Sequence, residues 1–206
     1  MGNLPTLTPL NPGTFEAMAK DAYVIDVRAV EAFCASHVPG SFAMALDRIP
    51  HFIGWFVPYD RPVLLVMDGA SVSEVLPYLV RQGYDNVKGY LANGMRGWTR
   101  RGRPTESIHL LSPAELAEKS DDWWILDVRS EDELANGRIP GAHHIGLKHL
   151  HERLGEVPKD QGVIPYCGFG PRSMVAASVM QRAGCERVGL LHGGMMAWRM
   201  LGLPLR

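Results

Sequence analysis

The segment Val163-Ile164-Pro165-Tyr166-Cys167-Gly168-Phe169-Gly170-Pro171-Arg172-Ser173 holds the residues best equipped for chemistry in this chain of 206 residues. A cysteine closes an apolar run, two glycines follow within three positions, and an arginine stands five residues after the cysteine. The pattern predicts a strand ending at Cys167, a tight loop, and a helix beginning at Pro171 or Arg172. Such a junction surrounds the sulfur with backbone N–H groups and aims the positive end of a helix at it. A free thiol has a pKa of about 8.5, and a helix N-terminus with a nearby guanidinium lowers it by roughly one unit or more. The thiolate would then attack a sulfane sulfur, and the same loop would hold an anionic persulfide. Gly168 and Gly170 are expected to supply the positive φ and close backbone approach of a tight loop. Arg172 is expected to grip an anionic substrate, with Phe169, Pro171 and Ser173 completing the binding loop.

The elements that position this loop occur twice. Tyr23-Val24-Ile25-Asp26-Val27-Arg28 is echoed by Trp124-Ile125-Leu126-Asp127-Val128-Arg129, and His37-Val38-Pro39-Gly40-Ser41 by Arg138-Ile139-Pro140-Gly141-Ala142. Arg81-Gln82-Gly83 matches Arg182-Ala183-Gly184. Each half closes on a Gly-containing turn and a tryptophan, Trp98 and Trp198. Ordered anchors at one offset mark two copies of one domain. The expected division is residues 1–103 and 104–206, through the basic stretch Arg100-Arg101-Gly102-Arg103-Pro104, read as a solvated linker. Ser112, Pro113 and Glu115 then read as N-cap, first helical residue and capping-box partner. Leu10-Asn11-Pro12 is the parallel in the first copy. Val24–Val27, Val63–Met67, Ile125–Val128 and Val163–Cys167 read as buried strands, and Met174–Arg182 as helix. Continuous apolar strands alternating with helices predict a mostly parallel sheet covered on both faces, an α/β fold built twice.

Composition narrows the setting. Hydrophobic residues make up 46% and charged residues 21%, and the formal net charge is −1. These values suit a globular protein with no general attraction to nucleic acid or an anionic membrane. No apolar run is long enough to span a bilayer, and the N-terminus lacks a secretory pattern. Cys34, Cys167 and Cys185 are an odd set without C-x-x-C spacing, so a reducing compartment, the cytoplasm, is expected. Cys34 and Cys185 read as structural. His143, His144, His149 and His151 have no companion cysteine or carboxylate at metal-ligand spacing, so no metal is expected.

Asp127-Val128-Arg129, Ile139-Pro140-Gly141-Ala142, Cys167–Arg172 and Gly193–Trp198, in that order and duplicated upstream, resemble the rhodanese family over essentially the whole chain. The resemblance implies two α/β domains, each a mostly parallel five-stranded sheet flanked by helices. It implies sulfur transfer by double displacement, with Cys167 as persulfide carrier and no cofactor. The donor would be thiosulfate or a low-molecular-weight persulfide, and the acceptor a thiol, sulfite or cyanide. Asp127 and Arg129 would brace the loops, and His144 would lie near the cleft on the family's pattern. Gly2-Asn3-Leu4-Pro5, the segment 54–62 and Gly83-Tyr84-Asp85-Asn86-Val87 look like the tandem rhodanese portion of fused persulfide dioxygenases, in which a metallo-β-lactamase domain precedes the pair. No His-x-His-x-Asp-His motif occurs in this sequence. The chain is then a freestanding relative or a fragment of a longer protein, with a persulfide dioxygenase as its expected partner. Many thiosulfate sulfurtransferases of the family carry a basic residue directly after the cysteine, where Gly168 stands here. Pro171 also removes one N–H from the loop.

In the first copy Met67 aligns with Cys167, and the following loop holds neither cysteine nor arginine. Asp68 puts a negative charge where an anion should bind, and the loop reads as one residue shorter. This copy is expected to be inactive. Two other functions compete for the chain. A Cys-dependent phosphatase or arsenate reductase on the same fold would need five residues between Cys and Arg, and four separate Cys167 from Arg172. A non-catalytic binding module would need a degenerate loop in the second copy.

Overall fold

Val63–Val66 of the first unit is an unbroken β-branched and leucine run buried on both faces, and Val24–Ile25 are buried beside it, as a parallel sheet between helices requires. The computed structural model describes residues 7–69 and 71–206; the motif Gly2–Pro5 and the loop residue Ala70 lie outside them. The chain divides into a unit ending at Ser107 and a unit formed by Ile108–Arg206. The division falls a few residues beyond the expected 103/104 boundary. Residues 104–106 stay with the first unit because Trp98 Nε1 donates to the Pro104 carbonyl at 2.8 Å and His37 pairs its backbone with Glu106.

In the first unit, β1 (Pro9–Leu10), α1 (Pro12–Ala19), β2 (Tyr23–Asp26), α2 (Val30–Ala35), β3 (Phe42–Ala43), α3 (Ile49–Phe56), β4 (Val63–Val66), α4 (Val72–Arg81), β5 (Val87–Leu91) and α5 (Gly94–Arg100) follow in order. The strands form one parallel sheet, β1-β5-β4-β2-β3. The segments 54–62 and 83–87 pack on each other: Tyr59 stacks on Tyr84 with ring centroids 4.7 Å apart, and the Tyr84 hydroxyl donates to the Val57 carbonyl at 2.5 Å.

The second unit repeats the plan with β6 (His109–Leu111), α6 (Pro113–Glu118), β7 (Trp124–Asp127), α7 (Glu131–Leu134), β8 (His143–His144), β9 (Val163–Tyr166), α8 (Pro171–Arg182), β10 (Gly189–Leu191) and α9 (Gly194–Met200). A 3-10 turn at Leu147–His149 repeats the one at Leu46–Arg48 of the first unit, and a second short turn, Leu154–Glu156, stands where the first unit has α3. Its five strands are all parallel-paired but fall into β8-β7-β9 and β10-β6, joined by the single bridge Val163↔Val188. Pro165 gives the reason. Val163 N–H points toward β10 and donates to the Arg187 carbonyl at 2.9 Å. Two residues on, the same side of the strand is presented by a proline without an N–H, so the next ladder bond cannot form.

The cores are built from equivalent positions. Leu10, Val24, Val38, Leu64 and Trp98 pack together in one unit, and Leu111, Ile125, Ile139, Ile164 and Trp198 in the other. Trp198 Nε1 donates to the Pro204 carbonyl at 2.9 Å, as Trp98 does to Pro104. The cap expected at Ser112 forms, with Ser112 Oγ accepting from Glu115 N–H and the Glu115 carboxylate accepting from Ser112 N–H at 2.8 Å. Among the described residues, no helix is long and apolar enough to cross a membrane.

Candidate active site

Strand β9 delivers Cys167 to the carboxyl edge of the sheet, and α8 starts four residues later at Pro171. The sulfur is nearly closed off from solvent, with Cys167 only 1% exposed. Gly170 N–H donates to Cys167 Sγ at 3.2 Å, and Ser173 Oγ lies 3.6 Å from the sulfur while donating to the Gly170 carbonyl at 2.9 Å. The N–H groups of Arg172 and Ser173 belong to the first turn of α8, which has no preceding helical carbonyls to bond. Pro171 at the first helical position contributes no donor. Gly170 has φ 130°, so a glycine is needed there. Gly168 does not: its φ is not positive, and an added Cβ would meet Arg172 Nη2 at 3.5 Å, an ordinary contact. The expectation that both glycines serve the backbone therefore holds for Gly170 alone.

The loop is clamped from α9. Met195 N–H donates to the Cys167 carbonyl at 2.8 Å and Met196 N–H to the Gly168 carbonyl at 3.0 Å, spending first-turn helix donors on the loop. Gly194, at φ 57°, allows this approach, because a Cβ there would stand 2.4 Å from the Cys167 carbonyl oxygen. Below the loop, Asp127 and Arg129 form a buried bidentate pair, with Arg129 Nη2 2.6 Å from Asp127 Oδ2. Arg129 also donates to the Gly137 carbonyl at 2.9 Å, and the Tyr166 hydroxyl donates to Asp127 Oδ2 at 2.6 Å. Burial, reinforced by the Asp127 charge, pushes the Tyr166 phenol well up, so it stays a donor. This network ties the end of β7, the 137–139 turn and the residue before Cys167 into one support. The ring Nε2 of His144 lies 2.9 Å from the Arg129 carbonyl, so His144 meets the same support. His143 stacks on Trp124, with centroids 4.5 Å apart.

Glu133 is the site residue that sequence reading missed. The Arg172 guanidinium does not stand open for an anion: it makes two bonds to the Glu133 carboxylate, that from Nη2 to Oε1 at 2.7 Å. The Arg172 charge is held above its ordinary value, first by Glu133 and further by Cys167 beside it. Glu133 in turn is held down at about 2, chiefly by Arg172 and against the opposing effect of burial. The visible signal was Ser130-x-x-Glu133, a capping-box pattern; Glu133 Oε2 accepts from Ser130 N–H at 3.0 Å and from Ser130 Oγ at 2.9 Å. A cleft of about 480 Å³ opens here, lined by Arg129, Glu133, Gly168, Phe169, Met196 and Arg199 among others. Phe169 is 66% exposed at its rim.

The corresponding place in the first unit is built differently. Asp26 and Arg28 repeat the buried pair, and burial pushes the Asp26 carboxyl up although Arg28 opposes it. Met67 follows β4, and the Asp68 carboxylate lies 3.6 Å from Arg28 Nη1. The expectation that this loop is one residue shorter than its counterpart is not met. Helix α4 begins five residues after Met67, against four after Cys167, and the missing residue falls in the helix, which has 10 residues against 12. The other two thiols are buried, and burial pushes Cys34 up to about 12 and also raises Cys185.

Comparison with known proteins gives one answer for both halves. The profile of the rhodanese-like domain matches residues 11–101 and again 112–201. A sulfurtransferase of Allochromatium vinosum is 37% identical over 86 residues, 42% of this chain and 80% of its own length. A putative sulfurtransferase of Bacillus subtilis is 35% identical over 94 residues, 44% of this chain and 90% of its own length. A rhodanese-related protein of Thermoplasma volcanium aligns in structure with a TM-score of 0.46 at 26% identity, covering 48% of this chain and 98% of that one. With the profile matched twice and both sequence relatives named as sulfurtransferases, the chain belongs to the rhodanese family of sulfurtransferases and carries its domain in tandem.

Proposed function

We propose that the second unit moves a sulfane sulfur from thiosulfate or a low-molecular-weight persulfide to a thiol, sulfite or cyanide through a persulfide on Cys167. The observation that carries this reading is the Gly170 N–H aimed at Cys167 Sγ at 3.2 Å from the start of a twelve-residue helix. In the first half-reaction the Cys167 thiolate attacks the donor's outer sulfur. The donor's S–S bond breaks, and its electron pair leaves with sulfite or the donor thiolate. The Cys167 persulfide then carries its negative charge on the outer sulfur, where the loop amides and the α8 N-terminus stabilise it. The acceptor attacks that outer sulfur, and Cys167 leaves again as a thiolate.

The roles follow from place. Cys167 is the nucleophile; Gly168, Phe169, Gly170, Pro171, Arg172 and Ser173 form the loop that holds the sulfur; Asp127 and Arg129 are structural support. The first unit is a non-catalytic partner domain, since Met67 offers no thiol and the Asp68 carboxylate stands beside Arg28. The cytoplasm is the setting that three unpaired thiols suit, and a persulfide dioxygenase is the upstream partner suggested by the segments at 54–62 and 83–87. The test is release of sulfide or thiocyanate from each donor by wild type and Cys167→Ser. Wild-type turnover that vanishes in the variant, with an adduct of one sulfur atom on Cys167 removed by dithiothreitol, is the expected result. Equal turnover in both proteins would end the proposal.

A further inference from the structure

The sulfur-transfer reading leaves one group at the loop without a task. Glu133 sits at the third position of α7, tethered to Ser130 by two bonds, and makes two bonds to Arg172. The charges around the cleft therefore nearly cancel. Arg129 is matched by Asp127, and Arg172 by Glu133. Arg199 lies at the rim and donates to the Asn136 carbonyl. A dianion approaching Arg172 meets a carboxylate already seated in the fork and must displace it. The tether to Ser130 makes that displacement costly, since it breaks charge-assisted bonds at both ends of Glu133. A donor with less negative charge, and with an ammonium group able to face Glu133, escapes this penalty. Glu133 remains ionised throughout the physiological range. The inactive first unit has Ala32 at the equivalent position, six residues after Asp26 as Glu133 is after Asp127.

We propose that Glu133 is a specificity-determining residue that screens Arg172 against dianionic sulfur donors and turns the Cys167 loop toward amino-acid thiol persulfides. This rests on the sulfur-transfer reading and adds the donor class. A group of this kind gives discrimination by an unfavourable contact with the wrong donor, as specificity often requires.

The experiment compares kcat/KM for thiosulfate and for cysteine persulfide in the full chain as wild type, Glu133→Gln and Glu133→Asp. Loss of the charge should raise the thiosulfate-to-persulfide ratio roughly fivefold to tenfold, carried by the thiosulfate KM. The aspartate variant, which keeps the charge, should stay closer to wild type. Ser130→Ala, which releases the tether, should move the ratio in the same direction and serves if Glu133→Gln folds poorly. An unchanged ratio, or a parallel fall of kcat for both donors, overturns the assignment and makes Glu133 a positioning residue for Arg172. Absence of wild-type turnover with either donor overturns the sulfur-transfer reading itself, which is a different result from turnover with an unshifted ratio.

Discussion

Replacing Gly194 by alanine should disable the loop without touching any reacting group. The added Cβ would lie 2.4 Å from the Cys167 carbonyl oxygen and 3.0 Å from the Gly168 carbonyl, whereas ordinary contact begins at 3.4 Å. The loop must therefore retreat by roughly 1 Å, in the range where misplacement costs on the order of a hundredfold in rate. The retreat also stretches the bonds from Met195 and Met196 that hold the two carbonyls. Left-handed backbone costs an alanine roughly 1–2 kcal/mol and overpacking about 1–3 kcal/mol more. The paired control is Gly94→Ala in the first unit, at φ 52°, where the Cβ would press on Asp68 and the Met67 carbonyl. The assay is sulfur transfer at saturating donor, alongside thermal melts of both variants. Gly194→Ala should lose on the order of a hundredfold in kcat, and Gly94→Ala should lose stability with transfer kept within a few-fold. Near-normal kcat in a folded Gly194→Ala protein would refute the idea that the α9 clamp sets the loop. So would an equal loss of rate in Gly94→Ala.

Two further perturbations test the supports. Asp127→Ala leaves the Arg129 guanidinium buried without its carboxylate and strips the Tyr166 hydroxyl of its acceptor; denaturant unfolding should show about 3–5 kcal/mol lost from the second unit, and a loss under 1 kcal/mol would contradict the buried pair. Because Glu133 is held at about 2, below its ordinary carboxylate value, its contribution to stability is complete above roughly pH 4.5 and fades as pH falls toward 2. The difference in Tm between wild type and Glu133→Gln should thus be constant from pH 7 to 5 and shrink below that, and a difference flat down to pH 3 would remove the ion pair from the account.

Much of this was open to a reader of the sequence, because it is local. The repeat, the parallel α/β plan and the strand–loop–helix at Cys167 follow from apolar runs, caps and glycines a few residues apart. The Ser112 cap and the two tryptophan anchors are of the same kind. Asp127 and Arg129 could be named as braces from the Asp-Val-Arg motif that carries the family resemblance, while their burial as an ion pair is a finding of the structure. The tertiary structure decided what depends on residues distant in sequence. Glu133 lies 39 positions before Arg172, and nothing in Ser130-x-x-Glu133 says that the capping carboxylate has a second partner. The clamp from α9, the lost ladder bond at Pro165 and the sufficiency of an ordinary φ at Gly168 are likewise set by which backbone meets which. Sequence spacing assigns residue types to a loop. Only the packed chain determines which opposite charge reaches Arg172 first, because that depends on distance and burial.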